Sequence, residues 1–104
     1  MDGEAFRQQV IEHLCQIPYG KVMTYGSMAS WMGYPGWARR VGYVLRGLDP
    51  DASHLPWHRV VGAQGKISTG PLMGTLQRTL LESEGVCFVG VRCELKQHQW
   101  QSGC

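Results

Sequence analysis

Six consecutive residues, Pro56-Trp57-His58-Arg59-Val60-Val61, hold the side chains that come closest to chemistry in this chain. His58 and, further along, Glu84 supply an imidazole and a carboxylate, so hydrolysis through this pair is one hypothesis. The indole of Trp57 has no lone pair free for displacement at carbon. Position 57 therefore cannot act as a nucleophile in the way that a thiolate does.

The four cysteines are the other candidates for nucleophiles or metal ligands. They form no C-x-x-C pair and have no histidine at zinc-finger spacing. We therefore expect reduced thiols in a reducing compartment, with no metal and no cofactor. The cysteines are Cys15, Cys87, Cys93 and Cys104.

The charge of the chain is unevenly distributed, although its net value is only +2. From His13 to Leu48 there is no Asp or Glu. A basic, aromatic surface free of acids is typical of a protein that binds a polyanion. The alternative is that half of the aromatic residues belong to the core, which we favour for Trp31. The run carries Lys21, Arg39, Arg40 and Arg46 together with Tyr19, Tyr25, Trp31, Tyr34, Trp37 and Tyr43.

Length and composition indicate one domain over residues 1–104, with 43% hydrophobic and 17% charged residues, as in a soluble globular protein. No apolar run approaches the ~18–20 residues of a membrane span. Asp2 and Glu4 near the start are unlike a signal peptide. We expect a cytoplasmic protein that does not bind a membrane, and a monomer because no dimer seam is evident.

Hydrophobic spacing predicts a helix over about residues 4–16, which Pro18-Tyr19-Gly20 ends. Thr24 is a good N-cap for a second, short helix. A turn at Gly33–Gly36 precedes a third helix from about Trp37 to Arg46, and this pair predicts a helix-turn-helix. The third helix has an inner face of Ala38, Val41, Gly42 and Leu45 and an outer stripe of Arg39, Tyr43 and Arg46.

The second half of the chain predicts a strand at Arg59-Val60-Val61, a fourth helix over about residues 72–84 closed by Gly85, and a final strand or wing near residues 86–91. We expect the tail from about residue 97 to be loose, with Trp100 packed back as the alternative. The predicted fold is mainly α, a winged helix-turn-helix domain with a short edge sheet.

Four segments occur in the order and close to the spacing found in one family. They are Ile17-Pro18-Tyr19-Gly20-Lys21-Val22 with Thr24-Tyr25, Ala38-Arg39-Arg40-Val41-Gly42, the Pro56–Val61 loop, and Leu80-Leu81-Glu82-Ser83-Glu84-Gly85. Over about residues 4–90 the chain resembles the DNA-binding domain of the O6-alkylguanine-DNA alkyltransferases. The family's loop reads Pro-Cys-His-Arg-Val, so Trp57 replaces the nucleophilic cysteine. This replacement resembles the alkyltransferase-like proteins, which bind alkylated guanine without repairing it.

The resemblance implies a set of DNA-binding residues. Arg39 would enter the base stack from the minor groove and fill the space of a flipped nucleotide, because a guanidinium stacks on bases and donates hydrogen bonds. Tyr25 would crowd the phosphate of the target nucleotide, although packing is an equal alternative. Gly42 would let the helices approach closely. Phosphate contacts are implied for Arg40 and Arg46, and Tyr43 lies on the same face.

The resemblance also implies a lesion pocket formed by Pro56, Trp57, His58, Arg59, Val60, Gly70 and Glu84. Trp57 would line it as a partly accessible apolar wall, with a core position as the alternative. Glu84 and Arg59 would form a buried ion pair that holds the loop, while His58 and Glu84 have no thiol to deprotonate. In Ser68-Thr69-Gly70-Pro71, residues Gly70 and Pro71 would widen the pocket wall.

The function that this implies is non-catalytic recognition of O6-alkylguanine in double-stranded DNA, with nucleotide flipping and hand-over to nucleotide-excision repair proteins. Two alternatives stay open. One is an enzyme that transfers the alkyl group to another cysteine, such as Cys15 or Cys87, or hydrolyses it through His58 and Glu84. The other is a helix-turn-helix transcription regulator, which would leave the Pro56–Val61 loop unexplained.

Overall fold

The fold is mainly helical, as the sequence predicts, and a computed structural model describes it over residues 3–48, 55–67 and 71–100. The helices are α1 (Gly3–Leu14), α2 (Tyr25–Trp31), α3 (Ala38–Arg46), α4 (Pro71–Ser83) and α5 (Leu95–His98). The strands are β1 (Met23–Thr24), β2 (Val60–Val61), β3 (Phe88–Val89) and β4 (Arg92–Cys93). Two 3-10 turns cover Trp57–Arg59 and Ala63–Gly65.

Helix α1 buries one face, formed by Phe6, Val10 and Leu14. The helix ends two residues before the predicted residue 16, and the chain continues in a turn in which the Ile17 N–H donates to the Leu14 carbonyl at 3.2 Å. This turn directs Ile17, which is 1% exposed, into the same core.

The helix-turn-helix of α2 and α3 is confirmed. The Thr24 hydroxyl accepts a hydrogen bond from the Ser27 N–H at 3.1 Å, which is the N-cap that the sequence predicts. Gly33 and Gly36, at φ 92° and 88°, reverse the chain between the two helices. Helix α3 buries Val41, Gly42 and Leu45 and leaves its charged stripe in solvent.

A parallel pair of strands connects the helix-turn-helix to the loop that carries Trp57. Met23 of β1 is in register with Val60 of β2, and Thr24 with Val61. The sequence predicts a strand at Arg59-Val60-Val61 but not its pairing with β1. The loop that carries Trp57 leads into β2, and α2 directly follows β1. The pairing of the two strands therefore fixes the position of Trp57 relative to the helices.

The buried side chains form two clusters. The larger one joins α1, α2 and α3 to the loop through Met28, Val41, Leu45 and Trp57, among others. The smaller one packs α4 and the β3–β4 hairpin against β2 and the residue before β1, and it consists of Val22, Val61, Leu81, Val86 and Cys93. None of the helices in the described segments combines the length and apolar character that crossing a membrane requires.

The expectation of a loose tail is wrong for residues 97–100. The Val22 N–H donates to the His98 carbonyl and the Trp100 N–H donates to the Val22 carbonyl, both at 2.8 Å. Trp100 packs edge to face on Trp31, with ring centroids 5.2 Å apart. The tail is held because its backbone forms these hydrogen bonds with Val22. The polar composition of the tail gives no indication of this pairing. Residues 101–104 lie outside the described segments.

The antiparallel β3–β4 hairpin, which is the predicted wing, packs on the second 3-10 turn at Gly65. Gly65 has φ 84°, and a Cβ there would lie 2.5 Å from the carbonyl oxygen of Cys93. Gly36 has φ 88°, yet a Cβ there would meet nothing within 4 Å. A substitution at Gly36 would therefore introduce backbone strain alone, whereas one at Gly65 would introduce both backbone strain and a steric clash.

We predict that Gly65→Ala lowers the free energy of unfolding by roughly 2–4 kcal/mol, because conformational strain and displacement of β4 add together. Gly36→Ala, the control, should lower it by about 1 kcal/mol through backbone strain alone. Equilibrium urea unfolding measures both values. Equal losses would show that the hairpin does not press on Gly65.

Candidate nucleic-acid interface

One face of α3 presents cations and an aromatic ring to solvent. Arg39, Arg40 and Arg46 are exposed, and Tyr43 is 78% exposed. Within the described segments none of these arginines pairs with an acid. The guanidinium of Arg40 lies 4.2 Å from the ring centroid of Trp37, which is a cation–π contact. The predicted basic stripe is therefore present and available to a polyanion.

Tyr25 and Gly42 meet beside this stripe. A Cβ at Gly42 would lie 3.7 Å from the Tyr25 ring, which is ordinary contact. The close helix approach that we expected at Gly42 therefore does not exclude a small side chain. Tyr25 is half-buried at the start of α2, where it also borders a cavity.

A cavity of about 180 Å³ lies between α3, α4 and the Trp57 loop. Of the predicted site residues it brings together Tyr25, Arg46 and Trp57, and its remaining described lining was not predicted: Leu45, Leu48 and Met73. Leu45 was assigned to the inner face of α3, and Met73 lies two residues after Pro71, which was expected to widen the pocket wall. Gly70, which was expected in the wall, lies outside the described residues.

The expectation that Trp57 is partly accessible is wrong, since this side chain is 7% exposed and belongs to the larger core cluster. The reason is the 3-10 turn Trp57–Arg59, which replaces the predicted start of a strand at Arg59. Trp57 borders the cavity with one part of its surface and packs in the core with the rest. Trp57 is therefore a core residue that also borders the cavity, and its role as the wall of a lesion pocket stays a prediction.

Several predicted pocket residues do not line the described part of the cavity. Pro56 is buried before the turn, and Val60 is 1% exposed in the larger core. His58, Arg59 and Glu84 instead form a separate polar cluster, which we call the Glu84 clamp. The clamp acts on the cavity through the loop that it holds.

The Glu84 carboxylate accepts hydrogen bonds from four nitrogen atoms, which belong to Arg59, His58 and Gly20. Arg59 donates from Nε to Oε1 at 3.0 Å and from Nη2 to Oε2 at 2.9 Å. His58 donates from Nε2 to Oε2 at 2.6 Å, because a carboxylate can only accept. The Gly20 N–H donates to Oε1 at 2.9 Å, and Arg59 Nη1 donates to the Ile17 carbonyl at 2.9 Å. The expected Glu84–Arg59 pair is present, and it also ties the loop to the turn after α1.

Gly20 makes this arrangement possible. It has φ 77°, and a Cβ there would lie 3.2 Å from the Glu84 carbonyl oxygen. A larger residue would be strained and would push the end of α4 away from the turn. The glycine in Pro18-Tyr19-Gly20 therefore serves the clamp as well as the end of α1.

Gln77 is a buried polar residue that the sequence analysis missed. It is 1% exposed, and its Nε2 donates to the carbonyls of His58 at 3.1 Å and Val60 at 2.8 Å. These bonds hold the backbone on either side of Arg59 against α4. The available signal was its spacing, since Gln77 lies four residues after Met73 and four before Leu81, both of which pack inward.

Burial by itself raises the pKa of Glu84, but the hydrogen bonds from Arg59, Gly20 and His58 and the charge of His58 outweigh burial and lower this pKa from 4.5 to about 2. Because the folded pKa is depressed, ionisation of Glu84 stabilises the fold above the unfolded pKa. This contribution is lost as the pH falls from about 5 towards 2.

No described cysteine lies at the cavity. Cys15 and Cys87 are exposed elsewhere, whereas Cys93 is buried in the smaller core cluster. Burial raises the pKa of the Cys93 thiol, which disfavours its nucleophilic thiolate form. Within the described segments, no three His, Cys, Asp or Glu side chains are grouped so that they could hold a metal ion.

We predict that Glu84→Gln lowers the free energy of unfolding at pH 7 by roughly 3 kcal/mol, because Arg59, whose side chain is 16% exposed, loses its counter-charge. The difference from the unmodified chain should shrink as the pH is lowered from about 5 to about 2, where Glu84 itself becomes protonated. Denaturant unfolding across this pH range measures the difference.

Glu82→Gln is the matched control, since Glu82 is 52% exposed and pairs with Arg78 at 3.4 Å in solvent. Its effect should stay below about 1 kcal/mol. A constant Glu84→Gln difference from pH 7 down to about 2 would contradict the assignment of a depressed pKa to the clamp.

Comparison with known proteins shows the family of the chain. The family described as 6-O-methylguanine DNA methyltransferase, DNA binding domain, matches residues 5–86. Alkyltransferase-like protein 1 of Schizosaccharomyces pombe is 44% identical over 88 residues, which cover 83% of this chain and 81% of that protein. A crystal structure of S. pombe Atl1 in complex with damaged DNA containing O6-carboxymethylguanine superposes with a TM-score of 0.85 at 36% identity, covering 97% of this chain and 99% of that one.

Two further relatives come from bacteria. A DNA base-flipping protein of Vibrio parahaemolyticus is 42% identical, covering 94% of this chain and 98% of its own length. A methylated-DNA–protein-cysteine methyltransferase of Mycobacterium tuberculosis is 46% identical over 83 residues, but only 49% of that enzyme is covered. The chain therefore belongs to the family that shares the DNA-binding domain of 6-O-methylguanine DNA methyltransferase, and within it the chain is similar over most of its length to alkyltransferase-like and base-flipping proteins.

Proposed function

We propose that this protein recognises O6-alkylguanine in double-stranded DNA, rotates the damaged nucleotide out of the stack and holds it without removing the alkyl group. The observation that carries the proposal is Trp57. It stands between Pro56 and His58 and borders the cavity where a transferase would present its thiolate. An indole at this position offers an apolar surface to an alkyl group and no nucleophile.

The exposed side of α3 supports DNA binding. Arg39 lies early on the helix, exposed and without an acidic partner in the described segments, so its guanidinium can enter a base stack. Arg46 contributes to this exposed face and also to the cavity lining. One helix therefore carries both the residue to fill a vacated stack and the edge of the pocket that would receive the base.

The surroundings of Trp57 argue against a hidden catalytic function. Glu84 already accepts the His58 Nε2–H at 2.6 Å, and two nitrogens of Arg59 share the same carboxylate. These bonds use the His58–Glu84 pair to hold the loop. Alkyl transfer to Cys15 or Cys87 would require the flipped base to reach a surface that is not part of the cavity.

A plain transcription regulator accounts for the helix-turn-helix but not for the buried clamp behind the cavity. Hand-over to nucleotide-excision repair proteins, a cytoplasmic location and a monomeric state stay predictions. A protein that holds a lesion without repairing it needs a further protein to complete repair, which is the argument for the hand-over.

We predict that a duplex with one O6-methylguanine binds more tightly than the matching guanine duplex, and that the methyl group stays on the DNA. The apolar wall at Trp57 favours the alkylated base, while flipping costs a few kcal/mol for either base. A label on the methyl group permits one incubation to report binding, transfer and lesion loss. Equal affinities for the two duplexes would contradict lesion recognition. Label found on the protein would show that it is a transferase.

Trp57→Cys restores the Pro-Cys-His-Arg order and should transfer little label. Replacing a buried Trp by a small residue costs about 3–5 kcal/mol, so the loop that must present the thiol is weakened. Trp57→Phe is the control, because it keeps an aromatic ring and should transfer none. Rapid stoichiometric transfer by Trp57→Cys would show that the site differs from an enzyme by one residue alone.

We predict that Arg39→Ala weakens binding to lesion DNA by about 1–3 kcal/mol, because a stacked, hydrogen-bonding side chain is lost. Arg40→Ala should act mainly on the salt dependence, since the role proposed for it is a phosphate contact. Titrations at several salt concentrations, with a fluorescent base analogue beside the lesion, measure affinity and flipping together. Indistinguishable effects of the two substitutions would make Arg39 an ordinary phosphate contact.

A further inference from the structure

A second concave surface lies on the other side of α3, between that helix and α1. This α1/α3 groove encloses about 570 Å³. Arg7 of α1 and Arg39 and Arg40 of α3 border it, and its apolar lining includes Phe6, Trp37 and Val44. Among the residues that the structure describes, those that line the groove include no acid, so its charge suits an anion that is long enough to contact both helices.

The position of the groove around α3 follows from helix geometry. Successive residues are about 100° apart, so Arg40 and Gly47 lie roughly a quarter turn from the centre of the Arg39–Tyr43–Arg46 stripe, on the side of α1. Leu45, which borders the Trp57 cavity, lies on the opposite side of the stripe. The groove and the cavity therefore flank the proposed DNA-contacting stripe on its two sides.

A helix that enters the minor groove has one DNA strand on each side, because that groove is about 6 Å wide and a helix is about 10–12 Å across. The flipped nucleotide must come from the strand beside the cavity. The complementary strand then runs along the α1 side of α3. An acidic protein segment would suit the same charges, but the continuity of the groove with the Arg39–Tyr43–Arg46 stripe favours DNA.

We propose that the α1/α3 groove binds the sugar–phosphate backbone of the strand opposite the lesion, with Arg7 as a phosphate ligand supplied by α1. This inference rests on the proposed lesion recognition and adds a second strand contact to it. The apolar lining faces the deoxyribose rings, and Arg7 and Arg40 reach phosphates. Arg7 is 45% exposed, and its ion pair with Glu4 spans 3.9 Å in solvent, so a phosphate can replace it at little cost.

The test uses Arg7→Gln and a synthetic duplex that contains one O6-methylguanine. Loss of one phosphate contact should lower the slope of log affinity against log salt by about one, and should weaken binding roughly 5- to 10-fold at low salt. Arg7→Lys, which keeps the charge, should retain most of the slope. Arg92→Gln removes the same charge from the β3–β4 hairpin, which does not line the groove, and should leave the slope unchanged.

A second experiment identifies the strand that Arg7 contacts. Each phosphate in turn is replaced by an uncharged methylphosphonate. Neutralising one phosphate opposite the lesion should weaken binding of the unmodified protein but have little further effect on Arg7→Gln. An unchanged salt slope in Arg7→Gln, or coupling to a phosphate of the lesion strand, would overturn the proposal and leave the groove to a different partner. Thermal melting of Arg7→Gln shows that the comparison is made on folded protein.

The two proposals fail in different ways. The ratio of affinities for O6-methylguanine and guanine duplexes reports lesion recognition and should be the same in Arg7→Gln as in the unmodified protein. A ratio of one in both, with a changed slope, would reject lesion recognition and keep the groove as a DNA contact. A high ratio with an unchanged slope would reject the groove alone.

Discussion

The Glu84 carboxylate determines where the Trp57 loop lies. It accepts hydrogen bonds from His58, Arg59 and the Gly20 N–H, and Arg59 continues to the Ile17 carbonyl. The loop, the end of α4 and the turn after α1 therefore meet at one buried charge. Breaking a buried pair by removing one partner is strongly destabilising, so such an arrangement fixes position even where its net contribution to stability is small.

This constraint accounts for the two roles of Trp57. A side chain that is 7% exposed and packed against the helical core presents a rigid edge to the cavity. Rigidity matters for a protein that distinguishes an alkylated base by shape, because no covalent step follows to make binding irreversible. Gln77 adds to this rigidity by bonding the carbonyls of His58 and Val60. The imidazole and carboxylate that could activate a thiol serve here to hold an aromatic wall.

The sequence predicts the helix-turn-helix well because its signals are local. The Thr24 cap, the turn glycines and the separation of Val41 and Leu45 from Arg39 and Tyr43 each act within a few residues. Non-local contacts were harder to predict. They are the pairing of β1 with β2, the hydrogen bonds of Gln77, and the backbone hydrogen bonds between Val22 and the tail residues His98 and Trp100. The prediction that Trp57 is partly accessible was wrong for a local reason, since the 3-10 turn Trp57–Arg59 directs the side chain inward. The family resemblance supplied the Glu84–Arg59 pair, which spacing alone does not show.

The central claim is that an alkylated guanine is held against Trp57 and left intact. The most direct measurement is NMR of a duplex whose O6-methyl group carries ¹³C, titrated with the protein. The account predicts that the methyl resonance shifts on binding through the ring current of the indole, shows cross-relaxation with Trp57 ring protons, and remains an O-methyl signal over days. A methyl resonance that keeps its free-duplex position in the complex, or that converts to an S-methyl signal, would contradict it.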